Sequence, residues 1–308
     1  MPRTAARSLF ALLPAVALAV VPLSPAAADR KDRSEIIPLV TGSMPEGISA
    51  GPRDTFFAGA RSDGAVYVGN TRNGKLRTLV AGRPGEVAVG LLYDAATSRL
   101  WVAGGASGDV TAYDARSGRE VFTANFGADR LLNDVAITPT AVYVTDSRRA
   151  ELVVVDLDAD GDPTGARTLT VGGEYVQPSG FGLNGIRALP TGDLLAVSGG
   201  TLYRIDPQTG DAEVVEQQGT RLTAGDGLTL DGSTLYVVNG YGGNEVVQLE
   251  LAADYGSARV VQTLTDSDLD RPTTAALVSG DLYVVNGRFR TIGADPQAPV
   301  QVVRIDLP

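Results

Sequence analysis

The 308-residue chain contains neither cysteine nor histidine. Without cysteine, disulfide staples, thiol nucleophiles, thiolate metal sites and a lipoprotein anchor are all excluded. Without histidine, Ser-His-Asp triads, imidazole bases, H-E-x-x-H zinc sites and most transition-metal sites go as well. Any catalysis must rest on carboxylates, amides, lysine, arginine, tyrosine or a bound hard cation. Positive charge is scarce: 26 Lys and Arg stand against 36 Asp and Glu, a formal net charge of −10. Such a chain is a poor match for nucleic acid or anionic membrane and a fair one for a cation. A helical period is missing throughout, so the chain reads as all-β.

What is present begins with a leader. Arg3 and Arg7 precede an apolar run from Leu9 to Leu23, then the small triplet Ala26-Ala27-Ala28 before Asp29. That order predicts a secretory signal peptide over residues 1–28, cleaved after Ala28, and a secreted product with no membrane attachment. A transmembrane anchor fits less well, because Pro14 and Pro22 break the run short of the ~20 residues a span needs. Losing Arg3 and Arg7 with the leader takes the net charge from −10 to −12. Residues 29–308 read as a single domain, because one plan recurs along their length.

The plan is clearest from Leu131 to Asp156. A polar pair, Asn133-Asp134, opens an apolar strand; a turn, the strand Val142-Tyr143-Val144-Thr145 and a further strand, Leu152-Val153-Val154-Val155, follow. Related openings fall at Glu46-Gly47, Val89-Gly90, Asn184-Gly185, Asp226-Gly227 and Thr273-Thr274, 42 to 51 residues apart, and the hexapeptide LYVVNG occurs at both Leu235 and Leu282. Periods of ~40 to 50 residues built from short strands predict propeller blades, here six. The last repeat lacks an outermost strand, and Ile36 to Val40 forms a strand without a blade, its Pro38 suited to an edge. Pairing the two predicts a ring closed by an N-terminal strand. A β-sandwich or solenoid is the alternative.

In a propeller, residues at one phase of successive repeats converge on a central channel. Here they are Glu46, Val89, Asn133, Asn184, Asp226 and Thr273. Glu46, Asn133, Asn184 and Asp226 offer only oxygen donors with two negative charges, the set a divalent cation such as calcium prefers. The competing explanation is that Asn, Asp and Gly merely fill turns at strand starts.

The order Glu-Gly, Asn-Asp, Asn-Gly, Asp-Gly, with NDVAITPTAVYVTDS at Asn133 to Ser147, resembles the SMP-30/gluconolactonase/LRE-like family of six-bladed propellers from Glu46 to the C-terminus. The resemblance implies that Glu46, Asn184 and Asp226 hold a divalent cation, most simply calcium. Asn133 would be a fourth ligand or a substrate contact, and Asp134 a support behind the ligands; Thr273, from its place at the same repeat phase, is read as a further substrate contact. It implies a hydrolase that opens a lactone or cleaves an ester of a small molecule, with the cation as Lewis acid and Asp226, or water it holds, as base. A non-catalytic propeller that binds a ligand or protein and keeps the metal for structure is the alternative. One departure bears on substrate: the sugar-lactonase branch has an arginine where Leu131 stands, and Arg130 is one residue out of phase, which points to a more apolar lactone or to no turnover at all.

Other features have plainer explanations. Asp156 to Gly161 matches the opening of an EF-hand loop, but Arg167 stands where the bidentate glutamate belongs, so it reads as a hairpin turn, with a minor second calcium site as the alternative. Trp101 and the strand tyrosines Tyr67, Tyr113, Tyr143, Tyr203, Tyr236 and Tyr283 read as packing between blades. Arg288, Phe289 and Arg290 read as a solvated loop rather than an anion site, and the pairs Gly199-Gly200 and Gly242-Gly243 as turns.

Overall fold

The computed structural model describes Met1, Arg33 and residues 35–219, 222–241, 243–288, 295 and 297–307. The expected leader, Phe289, Arg290 and Gly242 lie outside the described residues. Among those residues there is no helix. After β1 (Ile36–Pro38) the first meander is β2 (Pro45–Ala50), β3 (Thr55–Ala60), β4 (Val66–Asn70) and β5 (Leu76–Val80). The second is β6 (Leu91–Asp94), β7 (Arg99–Ala103), β8 (Asp109–Asp114) and β9 (Glu120–Asn125), and the third β10 (Leu132–Ile137), β11 (Ala141–Asp146), β12 (Glu151–Leu157) and β13 (Pro163–Thr170). The two-residue β14 (Gly172–Gly173) leads to β15 (Leu183–Ala188), β16 (Leu194–Ser198), β17 (Thr201–Ile205) and β18 (Asp211–Gln218). Then come β19 (Leu228–Asp231), β20 (Thr234–Asn239), β21 (Glu245–Leu251) and β22 (Ser257–Thr265), and finally β23 (Pro272–Val278), β24 (Asp281–Asn286) and β25 (Gln301–Ile305).

Neighbouring strands within each meander pair antiparallel, and the first strands pack side by side in a cycle that returns from β23 to β2. This is a propeller-like arrangement, but not one of six separate sheets. Four sheets of four strands stand apart, and the remaining strands form one sheet of nine. The fusion occurs where β18 and β22, long for outer strands, run parallel and pair at Glu216↔Ser257, Gln217↔Ala258 and Gln218↔Arg259. The near end of β18 is paired by β14. Both contacts satisfy backbone groups that an outer strand otherwise leaves to solvent.

The last sheet has the order β1-β25-β24-β23, with Ile36↔Val303 and Ile37↔Val302 in register. The N-terminal strand therefore supplies the outer strand that the last repeat lacks. Arg33, just ahead of it, reaches the carbonyl of Val278 at 3.2 Å and pairs with Asp54 at 3.3 Å and Asp281 at 3.5 Å.

The apolar residues form clusters between successive meanders rather than one central core. Tyr143 of β11 faces a cluster shared with β15 to β17, while Val142 and Val144 face one shared with β7 and β8. Because both faces of such a strand are covered, β11 is buried at every residue and reads as a continuous apolar run, whereas the outer strand β13 is mostly exposed. Trp101 is fully buried against Phe122, and Tyr203 packs edge-on against Tyr175, as expected of packing aromatics.

Candidate functional site

Four of the six openings lie at irregularities of the first strands, while Val89 and Asp226 each stand two residues ahead of theirs, β6 and β19. Register shifts fall between Pro45 and Ile48, Leu132 and Val135, Leu183 and Ile186, and Pro272 and Thr274. They bracket Glu46-Gly47, Asn133-Asp134, Asn184-Gly185 and Thr273. A bulge releases a residue from ladder alternation and re-aims its side chain, which is why bulges recur beside functional sites.

The openings are latched to one another. The Thr273 hydroxyl donates to the Glu46 carbonyl at 2.7 Å, Thr145 to the Asn184 carbonyl at 2.7 Å, Gly185 N–H to the Asp226 carbonyl at 3.0 Å and Gly227 N–H to the Thr273 carbonyl at 2.8 Å. Here the glycines are not turn fillers. A Cβ on Gly90 would stand 2.1 Å from the Asn133 carbonyl oxygen, and one on Gly47 2.4 Å from that of Val89.

This ring gathers the acidic side chains. Glu46 and Asp226 are both buried, and each raises its own proton affinity chiefly by losing water. Glu46 is pushed up to about 7 by burial, against the pull of Arg61, with the Asp134 charge adding to the rise. Asp226 is raised well above the carboxylate range by burial, then by the Glu46 charge, while a hydrogen bond from Asn184 opposes the shift. Arg61, directly after β3, pairs with Glu46 at 3.2 Å. Asn133 donates its amide to Ser147 Oγ at 3.0 Å, and Ser147 in turn donates to the Leu183 carbonyl at 2.7 Å. With its nitrogen so committed, the oxygen of Asn133 is the donor atom left for the channel.

Asp134 is buried behind the ring, accepting from Val135 N–H at 2.9 Å and from Arg187 at 2.8 Å. Thr273 is 1% exposed and its hydroxyl is spent on Glu46. Arg130 turns away into a buried pair with Asp146 at 2.9 Å and Glu151 at 2.8 Å, and Arg288 pairs with Asp270 at 2.6 Å. Asp156 to Gly161 forms the hairpin between β12 and β13, with Asp158 accepting the turn's own N–H groups at Asp160 and Asp162.

Sequence reasoning missed Arg61, Arg187 and Tyr241. The phenol of Tyr241 is pushed up by burial and then by the Asp226 and Glu46 charges, although the residue is 58% exposed. The available signal was position, since Arg61 and Tyr241 both follow second strands. LYVVNG reflects the same phase. Asn239 and Asn286 end β20 and β24 and hold the loops entering β19 and β23, by bonds from Ala224 N–H at 3.0 Å and Asp270 N–H at 3.0 Å.

No protein-family model and no curated protein sequence matches this chain. Solved structures do. The Malassezia sympodialis allergen Mala s 1 aligns over 89% of this chain and 96% of its own, with a TM-score of 0.69 and 18% identity. A Bacteroides thetaiotaomicron protein of unknown function aligns over 90% and 74%, at 0.61 and 16%. Virginiamycin B lyase from Staphylococcus aureus aligns over 90% and 99%, at 0.56 and 10%. At these identities the likeness establishes the β-propeller fold alone.

A metal can be weighed on the donor set. Among the described residues no three carboxylates form a ligating group, so a cation here needs the amides of Asn133 and Asn184 beside Glu46 and Asp226. That set fits a hard cation in chemistry: oxygens only, with two buried carboxylates, of which Glu46 is also paired with Arg61.

Proposed function

We propose that this chain is an exported hydrolase of the SMP-30/gluconolactonase type, a propeller counted as six blades with the fused sheet taken as two. It opens a lactone or cleaves an ester of a small molecule, and it acts on neither nucleic acid nor membrane. The observation that carries this reading is the buried Glu46–Asp226 pair at the repeat openings, with the amides of Asn133 and Asn184 at the same phase. Glu46, Asn133, Asn184 and Asp226 would hold a divalent cation, most simply calcium, which when bound supplies Lewis acidity toward a carbonyl. Asp226, oriented by Asn184, accepts a proton from the attacking water. Tyr241, 58% exposed and two residues past the end of β20, and Phe181, 72% exposed and three residues ahead of Asn184, add apolar surface; with Leu131 they favour an apolar acyl portion. The likeness to a propeller named as a lyase supports catalysis on such a frame by analogy only.

The second reading, a ligand-binding propeller without turnover, is favoured by one observation: Arg61 already neutralises Glu46 at 3.2 Å. The deciding experiment is hydrolysis of a panel of lactones and aryl esters with calcium and with chelator, beside an Asp226→Asn variant shown to be folded. Calcium-dependent turnover, reduced at least ~100-fold in the variant, is expected of a general base beside a cation. Tight calcium binding without turnover on any substrate would select the binding propeller.

A further inference from the structure

Three residues beyond the openings, five of the six first strands, β2, β6, β15, β19 and β23, come together again around a second space. Ser49, Leu92, Arg187, Thr229 and Ala276 stand at this second phase, each three positions past Glu46, Val89, Asn184, Asp226 and Thr273. At the strand rise of ~3.3 Å per residue they lie about 10 Å further along. They line a cavity of about 250 Å³. At ~30 Å³ per water that is room for about eight waters or one small molecule of similar bulk.

The wall is apolar, built from Ile48, Leu92, Leu230 and Leu277, and most of its polar atoms are already used. Thr229 donates to the Ala275 carbonyl at 2.6 Å, and Ser49 accepts from Tyr93 N–H at 2.9 Å. Arg187 is the one charged residue among those lining the cavity. Its Nη1 alone is engaged, with Asp134 at 2.8 Å and with the carbonyls of Val135 at 3.3 Å and Ile186 at 2.5 Å. The Nε and Nη2 hydrogens, which form the side-on fork of a guanidinium, have no acceptor among the described residues, and the side chain keeps 12% of its surface accessible. Asp134 thus fixes the guanidinium end-on and leaves the edge that receives a carboxylate through two parallel hydrogen bonds.

We propose that this cavity is a second binding site, separate from the acidic ring, for a small apolar carboxylate such as a short-chain fatty acid. Its tail lies among Leu92, Leu230 and Leu277, and its carboxylate lies on the Nε–Nη2 edge of Arg187. The free N–H groups of Arg187 can only donate and so offer an ammonium group no acceptor, and the fork selects against alcohols, which cannot make the paired contact. The site stands whether or not the acidic ring is catalytic.

Hexanoate, hexanol and hexylamine are titrated separately into the protein while the methyl resonances of Leu92, Leu230 and Leu277 are followed by NMR. Hexanoate should shift all three saturably, with an affinity at least ~10-fold above the alcohol, as a charge-assisted paired contact requires, and hexylamine should shift none. Arg187→Lys, which keeps the charge and loses the fork, should weaken hexanoate by a similar factor. Ala50→Phe fills the cavity from the end of β2 and leaves the Arg187–Asp134 pair in place; it should abolish the shifts while circular dichroism stays that of the parent. Equal affinity for hexanoate and hexanol, binding that survives Ala50→Phe, or no methyl shift at millimolar hexanoate would each overturn the proposal.

Discussion

Glu46 shows how one buried carboxyl links the site to stability. Its carboxyl titrates near 4.5 in an unfolded chain and at about 7 in the fold. The folded state therefore keeps a proton that the unfolded state releases, and stability falls as pH rises through that window. In chelator-treated protein the contribution is fully favourable below about 4.5, declines to about 7 and is flat above; the span corresponds to about 3 kcal/mol at most. Urea denaturation at about pH 5 and about pH 8 should show this loss in the parent and much less of it in Glu46→Gln. A bound divalent cation reverses the sign, because it favours the ionised form, so calcium should restore stability at the higher pH only. Glu46 and Asp226 were legible in the sequence because they share a repeat phase. Arg61 was not, because what brings it to Glu46 is the ending of β3 beside the bulge of β2.

The first strands carry the next level of constraint. The Gly90 backbone passes against the carbonyl of Asn133, so Gly90→Ala must push β6 and β10 apart to relieve a 2.1 Å contact. We expect a loss of about 1 to 3 kcal/mol, the range for overpacking. Gly180, whose added Cβ would meet nothing within 4 Å, should tolerate alanine with a change within about 0.5 kcal/mol, and urea midpoints compare the two directly. Composition alone assigns both glycines to turns. What separates them is the neighbouring strand, which local sequence does not describe.

Ring closure depends on three residues of β1. Ile37 is fully buried in the cluster that joins the first and last sheets, and its register with Val302 keeps β25 from becoming an open edge. Ile37→Ala should cost about 2 to 5 kcal/mol by cavity formation. Ile37→Asp should release β1 and promote association through the bared strand, visible as light scattering before the main thermal transition. The all-β class, the recurring plan, the edge role of Pro38 and the in-phase acidic and amide residues could all be read along the chain, because strand alternation, turn chemistry and repeat period act over a few residues at a time. The merging of β18 with β22 into a nine-stranded sheet could not, nor could the engagement of Arg130 with Asp146 and Glu151, or the placing of Arg187 between Asp134 and a cavity. Those depend on how closely strands distant in sequence approach and in which register, and that is settled only when the whole set of sheets packs together.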